Sequence, residues 1–235
     1  MKSPRAVRMT GSFLIGDQPV FRGLDFTMAA GEWTCLLGPS GIGKSTILRL
    51  LAGLETGGRF EGEYDRLDGQ VAYMAQSDLL APWLDVTQNV TLGAQLRGEA
   101  ADMDRAQDLI QRVGLSGHEH KKPGELSGGM RPRAALARTL MEDQPIALLD
   151  EPFSALDAAT RATCQELAFE LLQGRTVLLV THDPAEAARL GHSVHVMRSE
   201  GSVEVLRPKG TPIRDPSAED TLATQVALFH QVRAA

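Results

Sequence analysis

Apolar and polar positions alternate along the chain between two kinds of segment. Short runs rich in aliphatic and β-branched residues occur at 33–37 (Trp-Thr-Cys-Leu-Leu), 146–149 (Ile-Ala-Leu-Leu) and 176–180 (Thr-Val-Leu-Leu-Val). They are separated by stretches of helical pattern. That alternation predicts a mostly parallel sheet covered by helices. Each run ends directly at a polar cluster: a glycine-rich segment after Leu37, Asp150-Glu151 after Leu149, and His182-Asp183 after the third run. In open α/β sheets ligands bind beyond the carboxyl ends of the strands, so the three clusters are expected to converge on one crevice.

Between the first two runs, 79–140 is predominantly helical in pattern, with Met103, Ala106, Leu109, Ile110 and Val113 recurring at helical spacing. An amphipathic helix packing its own core accounts for those five positions. The stretch is too long for a simple crossover, which predicts an inserted helical lobe. After His182, 184–190 reads as a helix, and 194–198 with 203–206 as a hairpin around Glu200-Gly201. The chain from Arg207 is polar and then helical over 222–232. The expected organisation is one domain over 1–235, with a helical subdomain at about 79–140 and a short helical tail at about 207–235, too short for a regulatory domain of ordinary size.

Composition narrows the classes of function. The 235 residues suit one α/β domain carrying a smaller lobe. With 43% hydrophobic and 23% charged residues and a mean hydropathy of -0.14, the chain is ordinary for a globular protein. A net charge of -6 and a pI near 5.5 argue against a nucleic-acid surface, and Lys121-Lys122 is a pair rather than a patch. No apolar stretch approaches the roughly 20 residues of a membrane span, and the first residues lack the apolar core of a secretory signal, so a cytoplasmic location is expected. Cys35 and Cys164 have neither metal-ligand spacing nor disulfide density and are expected to be buried thiols. His118 and His120 lie in a polar turn-like stretch with no third ligand nearby and are expected to be solvated.

Gly38-Pro39-Ser40-Gly41-Ile42-Gly43-Lys44-Ser45 fits the phosphate-loop pattern in the required setting, after a strand and opening a helix. Glycines let backbone N–H groups wrap phosphate oxygens, and the helix N-terminus adds a favourable dipole. Lys44 is then expected to neutralise the β- and γ-phosphates of ATP, Ser45 to ligate Mg2+, and Thr46 to reach the α-phosphate. The strand ending in Asp150-Glu151 would set Asp150 near the metal ion and leave Glu151 to polarise water, because adjacent strand residues point oppositely.

With these residues in place the chain resembles the nucleotide-binding subunit of an ABC transporter. Leu126-Ser127-Gly128-Gly129-Met130-Arg131 is similar to the family signature, and Ser154-Ala155-Leu156-Asp157 to its D-loop. Gln76 matches the Q-loop and His182 the switch histidine. The resemblance covers almost the whole chain. It implies a P-loop NTPase fold with a mostly parallel core sheet, an antiparallel β portion and an inserted helical lobe. It also implies ATP and Mg2+ as cofactors, with Gln76, Ser45 and Asp150 at the metal and Glu151, His182, Lys44 and Gln76 in catalysis. Ser127, Gly128 and Gly129 would act in trans on ATP held by a second copy or a homologous subunit, in a head-to-tail dimer. The family stacks an aromatic residue on adenine, and Phe13 is the candidate, with Phe21 or a purely structural role as alternatives.

One position departs from the pattern. Pro132 stands where the signature helix usually carries Gln. In the first helical turn a proline is tolerated, because those N–H groups lack intrahelical partners. The segment Leu79-Leu80-Ala81-Pro82-Trp83-Leu84 resembles importer subunits for nitrate, sulfonate, taurine and pyrimidine precursors, and implies transmembrane permease subunits and a solute-binding protein as partners at the inner face of the membrane. Trp83 either anchors that partner or packs the lobe. A P-loop kinase or GTPase would lack the Ser127 signature and His182, and a soluble DNA-repair relative would carry a long coiled-coil insertion.

Overall fold

A computed structural model of the chain describes residues 3–67, 69–198 and 201–234. Among the described residues nine strands run, in chain order, β1 (Val7–Ile15), β2 (Gln18–Met28), β3 (Trp33–Leu37), β4 (Arg59–Tyr64), β5 (Val71–Met74), β6 (Ile146–Asp150), β7 (Thr176–Thr181), β8 (Ser193–Met197) and β9 (Val203–Leu206). The helices are α1 (Lys44–Leu51), α2 (Val86–Val90), α3 (Leu92–Arg97), α4 (Met103–Arg112), α5 (Met130–Met141), α6 (Ala158–Leu171), α7 (Pro184–Leu190) and α8 (Glu219–Arg233), with a 3-10 turn at Pro123–Glu125. These elements fall into two compact units. The described parts of Met1–Val71, Pro145–Asp150 and Gly174–Ala235 form the first, and Ala72–Gln144 with Glu151–Gln173 the second.

The first unit holds a core sheet in which β6, β7, β3, β8 and β9 lie side by side. β6, β7, β3 and β8 are parallel, and β9 closes the edge antiparallel to β8. Every residue of β3, β6, β7 and β8 is buried. That is why these strands read as unbroken apolar runs: a parallel sheet needs crossovers that cover both its faces. The expected strands at 33–37, 146–149 and 176–180 are present, the last two each one residue longer. The expected hairpin also forms, as β8 and β9; Glu200 of its turn lies outside the described residues.

A second sheet in this unit, ordered β2-β1-β4, is antiparallel throughout. Gly11 and Gly62 face one another across β1 and β4, and a Cβ on Gly62 would lie 2.1 Å from the carbonyl oxygen of Thr10. Only glycine permits that approach. The polar segment before α8 is ordered by Arg214, which is buried and donates to the carbonyl oxygens of Pro208, Lys209, Gly210, Ala188 and Gly191. It thereby fastens the chain entering α8 to the end of α7, against which α8 packs.

In the second unit, α2, α4 and α6 pack on α5. Three of its helix starts, those of α2, α4 and α6, are set by acidic caps, which accept hydrogen bonds from first-turn N–H groups. Asp85 caps α2 in a reciprocal box with Gln88, Asp102 caps α4 and Asp157 caps α6. Ala106, Leu109, Ile110 and Val113 of α4 are buried as their spacing predicts. Met103 is not: it is 53% exposed, because it is the first residue after the cap and its side chain leads out of the apolar stripe. The unit also takes in Glu151–Gln173, beyond the 79–140 stretch in which the lobe is expected.

Both cysteines are buried thiols. Burial raises the pKa of each above the ordinary thiol range.

Candidate functional site

The ends of three strands of the first unit lie level. Leu37 pairs with Thr181, and Asp150 with Val180. The residues that follow β3 and β7 therefore leave the sheet at the same edge as the carboxylate of Asp150, and these are the glycine loop and His182.

The loop from Gly38 to Ser45 owes its shape to three glycines. Gly41 and Gly43 take positive φ angles of 82° and 105°, where a side chain would be strained. A Cβ on Gly38 would stand 2.9 Å from the Met197 carbonyl oxygen, and one on Gly43 would meet Phe21 and Val20. Ile42 is buried and anchors the loop, while Ser40 and Gly41 are exposed at its crest. Gly43 caps α1, and Ser45 and Thr46 are half-buried in its first turn.

Lys44 is buried, and its ammonium donates to the carbonyl oxygens of Gly38 and Pro39, both at 2.7 Å. The loop thus folds around a positive charge at a helix N-terminus, an arrangement that suits a polyphosphate. Asp150 is buried at the end of β6. With the Ser45 hydroxyl it offers hard oxygen donors of the kind Mg2+ takes, so the residues of this unit fit that ion.

His182 is exposed on a turn with firm supports. The Thr181 hydroxyl donates to the buried Glu186 carboxylate at 2.8 Å and accepts from the Asp183 N–H at 3.0 Å. Asp183 in turn caps α7, whose first residue is Pro184.

Phe13 is not a base-stacking residue. Its side chain has no exposed surface, and its ring packs against Phe21 with centroids 6.0 Å apart. A Cβ on Gly58 would come within 2.4 Å of the Phe13 ring, so the chain entering β4 covers it as well. Phe21 is equally buried. The ring lies on the core side of β1, where it packs against Phe21.

The second unit carries the other sequence-picked residues. Glu151 adopts a left-handed backbone, φ 49°, rare for a residue with a side chain. Ser154 supports it by donating through both N–H and hydroxyl to the Glu151 carbonyl oxygen. The Gln76 amide donates to the Glu151 carboxylate at 3.4 Å. Ser127 and Gly128 are exposed ahead of α5, and added Cβ atoms on Gly128 or Gly129 would meet nothing within 4 Å. The Ser127 carbonyl oxygen accepts from the N–H groups of Met130 and Arg131. Pro132 is the third residue of α5, inside the first turn as expected. Asp157, of the D-loop-like stretch, is a helix cap, and the Thr160 N–H bonded to it holds its carboxyl below the usual range.

Trp83 is 71% exposed, so it does not pack the lobe. Its turn is built by a residue the sequence reading passed over. The Asn89 amide oxygen accepts from the Ala81 N–H, and its amide nitrogen donates to the carbonyl oxygens of Ala81, Leu84 and Asp85. A fully buried Asn between the apolar Val86 and Val90 is the available signal, since a buried amide needs partners. Nearby, Arg131 pairs with Asp78 at 3.1 Å. A surface cavity of about 470 Å³, lined by Arg8, Thr10, Glu63, Tyr64 and Asp65, includes no residue of the loop.

Comparisons with known proteins agree with this chemistry. The family model described as ABC transporter matches residues 21–154. An uncharacterized ABC transporter ATP-binding protein of Haemophilus influenzae is 45% identical over 229 residues, covering 94% of this chain and 95% of its own. An aliphatic sulfonates import ATP-binding protein, SsuB 1 of Rhodococcus jostii, is 43% identical over 219 residues, covering 86% of this chain and 85% of its own. Among solved structures, a dimeric post-hydrolysis state of the ATP-binding cassette MJ0796 bound to ADP and Pi aligns with a TM-score of 0.76 at 28% identity, over 87% of this chain and 100% of that one. The chain belongs to the ABC transporter family. It is an ATP-binding subunit of that class and an ATPase, with the mixed α/β fold of its cassettes.

Proposed function

We propose that this subunit powers a solute importer. The observation that carries the reading is the Lys44 ammonium seated in its glycine loop at the strand edge it shares with Asp150 and His182. ATP would bind with its phosphates wrapped by the N–H groups of 38–46 and its β- and γ-phosphate charge met by Lys44. Ser45, Asp150 and Gln76 would hold Mg2+, which when bound screens the phosphate charge. Glu151 would take a proton from the attacking water, with Gln76 and His182 orienting it. A second copy, or a homologous subunit, would present Ser127, Gly128 and Gly129 to the γ-phosphate, so that two nucleotides are enclosed head to tail. The dimeric state of the MJ0796 cassette supports this.

Permease subunits would dock at the Trp83 turn, an exposed aromatic on a firmly bonded frame. The aliphatic sulfonates import ATP-binding proteins among the relatives support the import direction; a solute-binding protein would be a further partner, and the subunit would sit at the inner face of the membrane. Among the described residues no helix is long and apolar enough to cross a membrane, so separate membrane subunits would form the pathway. The chain as a whole, 1–235, would then act as a single ATP-binding domain whose helical subdomain faces the permease. Glu151→Gln tests the chemistry: it should keep ATP, accumulate dimers and lose at least about a hundredfold in turnover, as expected for loss of a general base. Undiminished turnover removes Glu151 from that role.

A further inference from the structure

The exposed face of α8 inverts the usual pattern of a surface helix. Leu222, Val226 and Phe229 are 47%, 56% and 50% exposed, and Ala223 and Ala227 are open beside them. Its inward side is carried by Leu228 and Thr221, both buried. A four-turn helix that shows five apolar residues outward has a second face to cover. Leu222, Val226, Phe229 and Arg233 follow one another at steps of four, three and four, the seam spacing of paired helices.

The charges select the occupant. Glu219 and Arg233 stand seven residues to either side of Val226 on the same helical line, and both are exposed. A two-fold axis at Val226 sets Glu219 of one copy against Arg233 of the other, twice, and sets the Phe229 ring against the small Ala223. A parallel pairing would instead oppose Glu219 to Glu219 and Arg233 to Arg233. Antiparallel packing also aligns each helix dipole with the opposite end of the other. Asp220 takes no part, since Lys209 holds it at 3.0 Å.

We infer that α8 is a self-recognition helix, which pairs antiparallel with α8 of a second copy of this chain about Val226. The pairing is independent of the ATP-bridged association proposed above. One helix pair falls well short of the roughly 800 Å² per partner of a stable stand-alone interface, so it is a weak contact, to be caught by trapping.

Val226→Cys in the full chain provides the trap, because Cys35 and Cys164 are buried. Without nucleotide and with copper phenanthroline as oxidant, this variant should form a disulfide-linked dimer at least about tenfold faster than Ser217→Cys, an exposed control near the start of the same helix. Adding Glu219→Arg should slow the cross-link, and adding Arg233→Glu to that should restore it. Adding Lys44→Ala should leave the rate unchanged, which separates this contact from any failure of the nucleotide-bridged dimer. Equal rates for the two cysteine variants, or no rescue by the double reversal, would overturn the inference. So would a chain whose α8 binds phosphatidylglycerol vesicles in a manner lost in Phe229→Glu while Val226→Cys fails to cross-link.

Discussion

Arg138 donates from its guanidinium to the carbonyl oxygen of Asp78 at 2.7 Å, and to that of Leu79 at 2.8 Å. Helix α5, which begins at the signature-like turn, is thereby tied to the backbone that leads to Trp83. Burial lowers the pKa of Arg138 from its usual value. Arg138→Met should leave two carbonyl oxygens without a charged donor and lower stability by roughly 2–4 kcal/mol. Denaturant titration reads this directly. ATP affinity should hold within about twofold, since the loop proposed to bind phosphate is built from other residues. An unchanged unfolding midpoint would show that the two bonds contribute nothing.

Asn89→Ala removes all four hydrogen bonds that frame the turn from Ala81 to Asp85. Loss of about 2–4 kcal/mol is expected, because the Ala81 N–H and the Leu84 carbonyl oxygen lose the Asn89 amide, while the Ala81 and Asp85 carbonyl oxygens keep only the N–H groups of Leu84 and Asn89. Trp83 is exposed while Trp33 is buried, so fluorescence anisotropy of the exposed tryptophan should fall. If Asn89 were merely filling space, anisotropy would not change.

Pro132→Gln should alter stability by no more than about 0.5 kcal/mol, because the restored N–H lies in a first turn without intrahelical acceptors. ATP binding should persist. A large loss of nucleotide affinity in this variant, measured by titration calorimetry, would overturn the view of Pro132 as a tolerated departure.

His195 gives the fold an acid limit. It is buried on β8 edge-on to Phe26, and burial pushes its pKa down to about 4. Its neutral form is the one the fold accepts. Between pH 6.5 and about 4 the unfolded chain binds the proton and the folded chain does not, so stability falls as pH falls through that window and levels off below it. The contribution amounts to about 3 kcal/mol at most. His195→Gln should flatten the stability profile across that range, whatever it does to stability at pH 8. An identical slope in both proteins would assign the acid sensitivity elsewhere.

Where both faces of a strand are covered, sequence and structure read alike. Leu36, Leu148 and Leu178 sit in runs with no competing period, and the polar residue that ends each run marks the edge of the sheet. The phosphate loop was legible for the same reason, as glycine spacing is itself a backbone requirement at Gly41 and Gly43. The antiparallel sheet was harder. Glycines at 11, 23 and 62 break the two-residue alternation of β1, β2 and β4, so nothing in the pattern told which face Phe13 occupies. Of the readings open to Phe13, base stacking or a structural role, its burial selects the second. Asn89, Arg138 and Arg214 act on backbone oxygens, and a backbone oxygen leaves no trace in a sequence.

The Lys44 ammonium, bonded to Gly38 and Pro39, keeps the loop's form in the protein by itself. An arriving polyphosphate then has no chain to order, and its affinity is spared the entropy of closing a flexible loop. If Lys44 meets the phosphate as proposed, the ligand would compete with two carbonyl oxygens for the same charge, each worth about 1.5–3 kcal/mol. On that proposal the lysine would moderate how tightly a phosphate is held. For a subunit that must release its product in every cycle, such restraint favours turnover over retention.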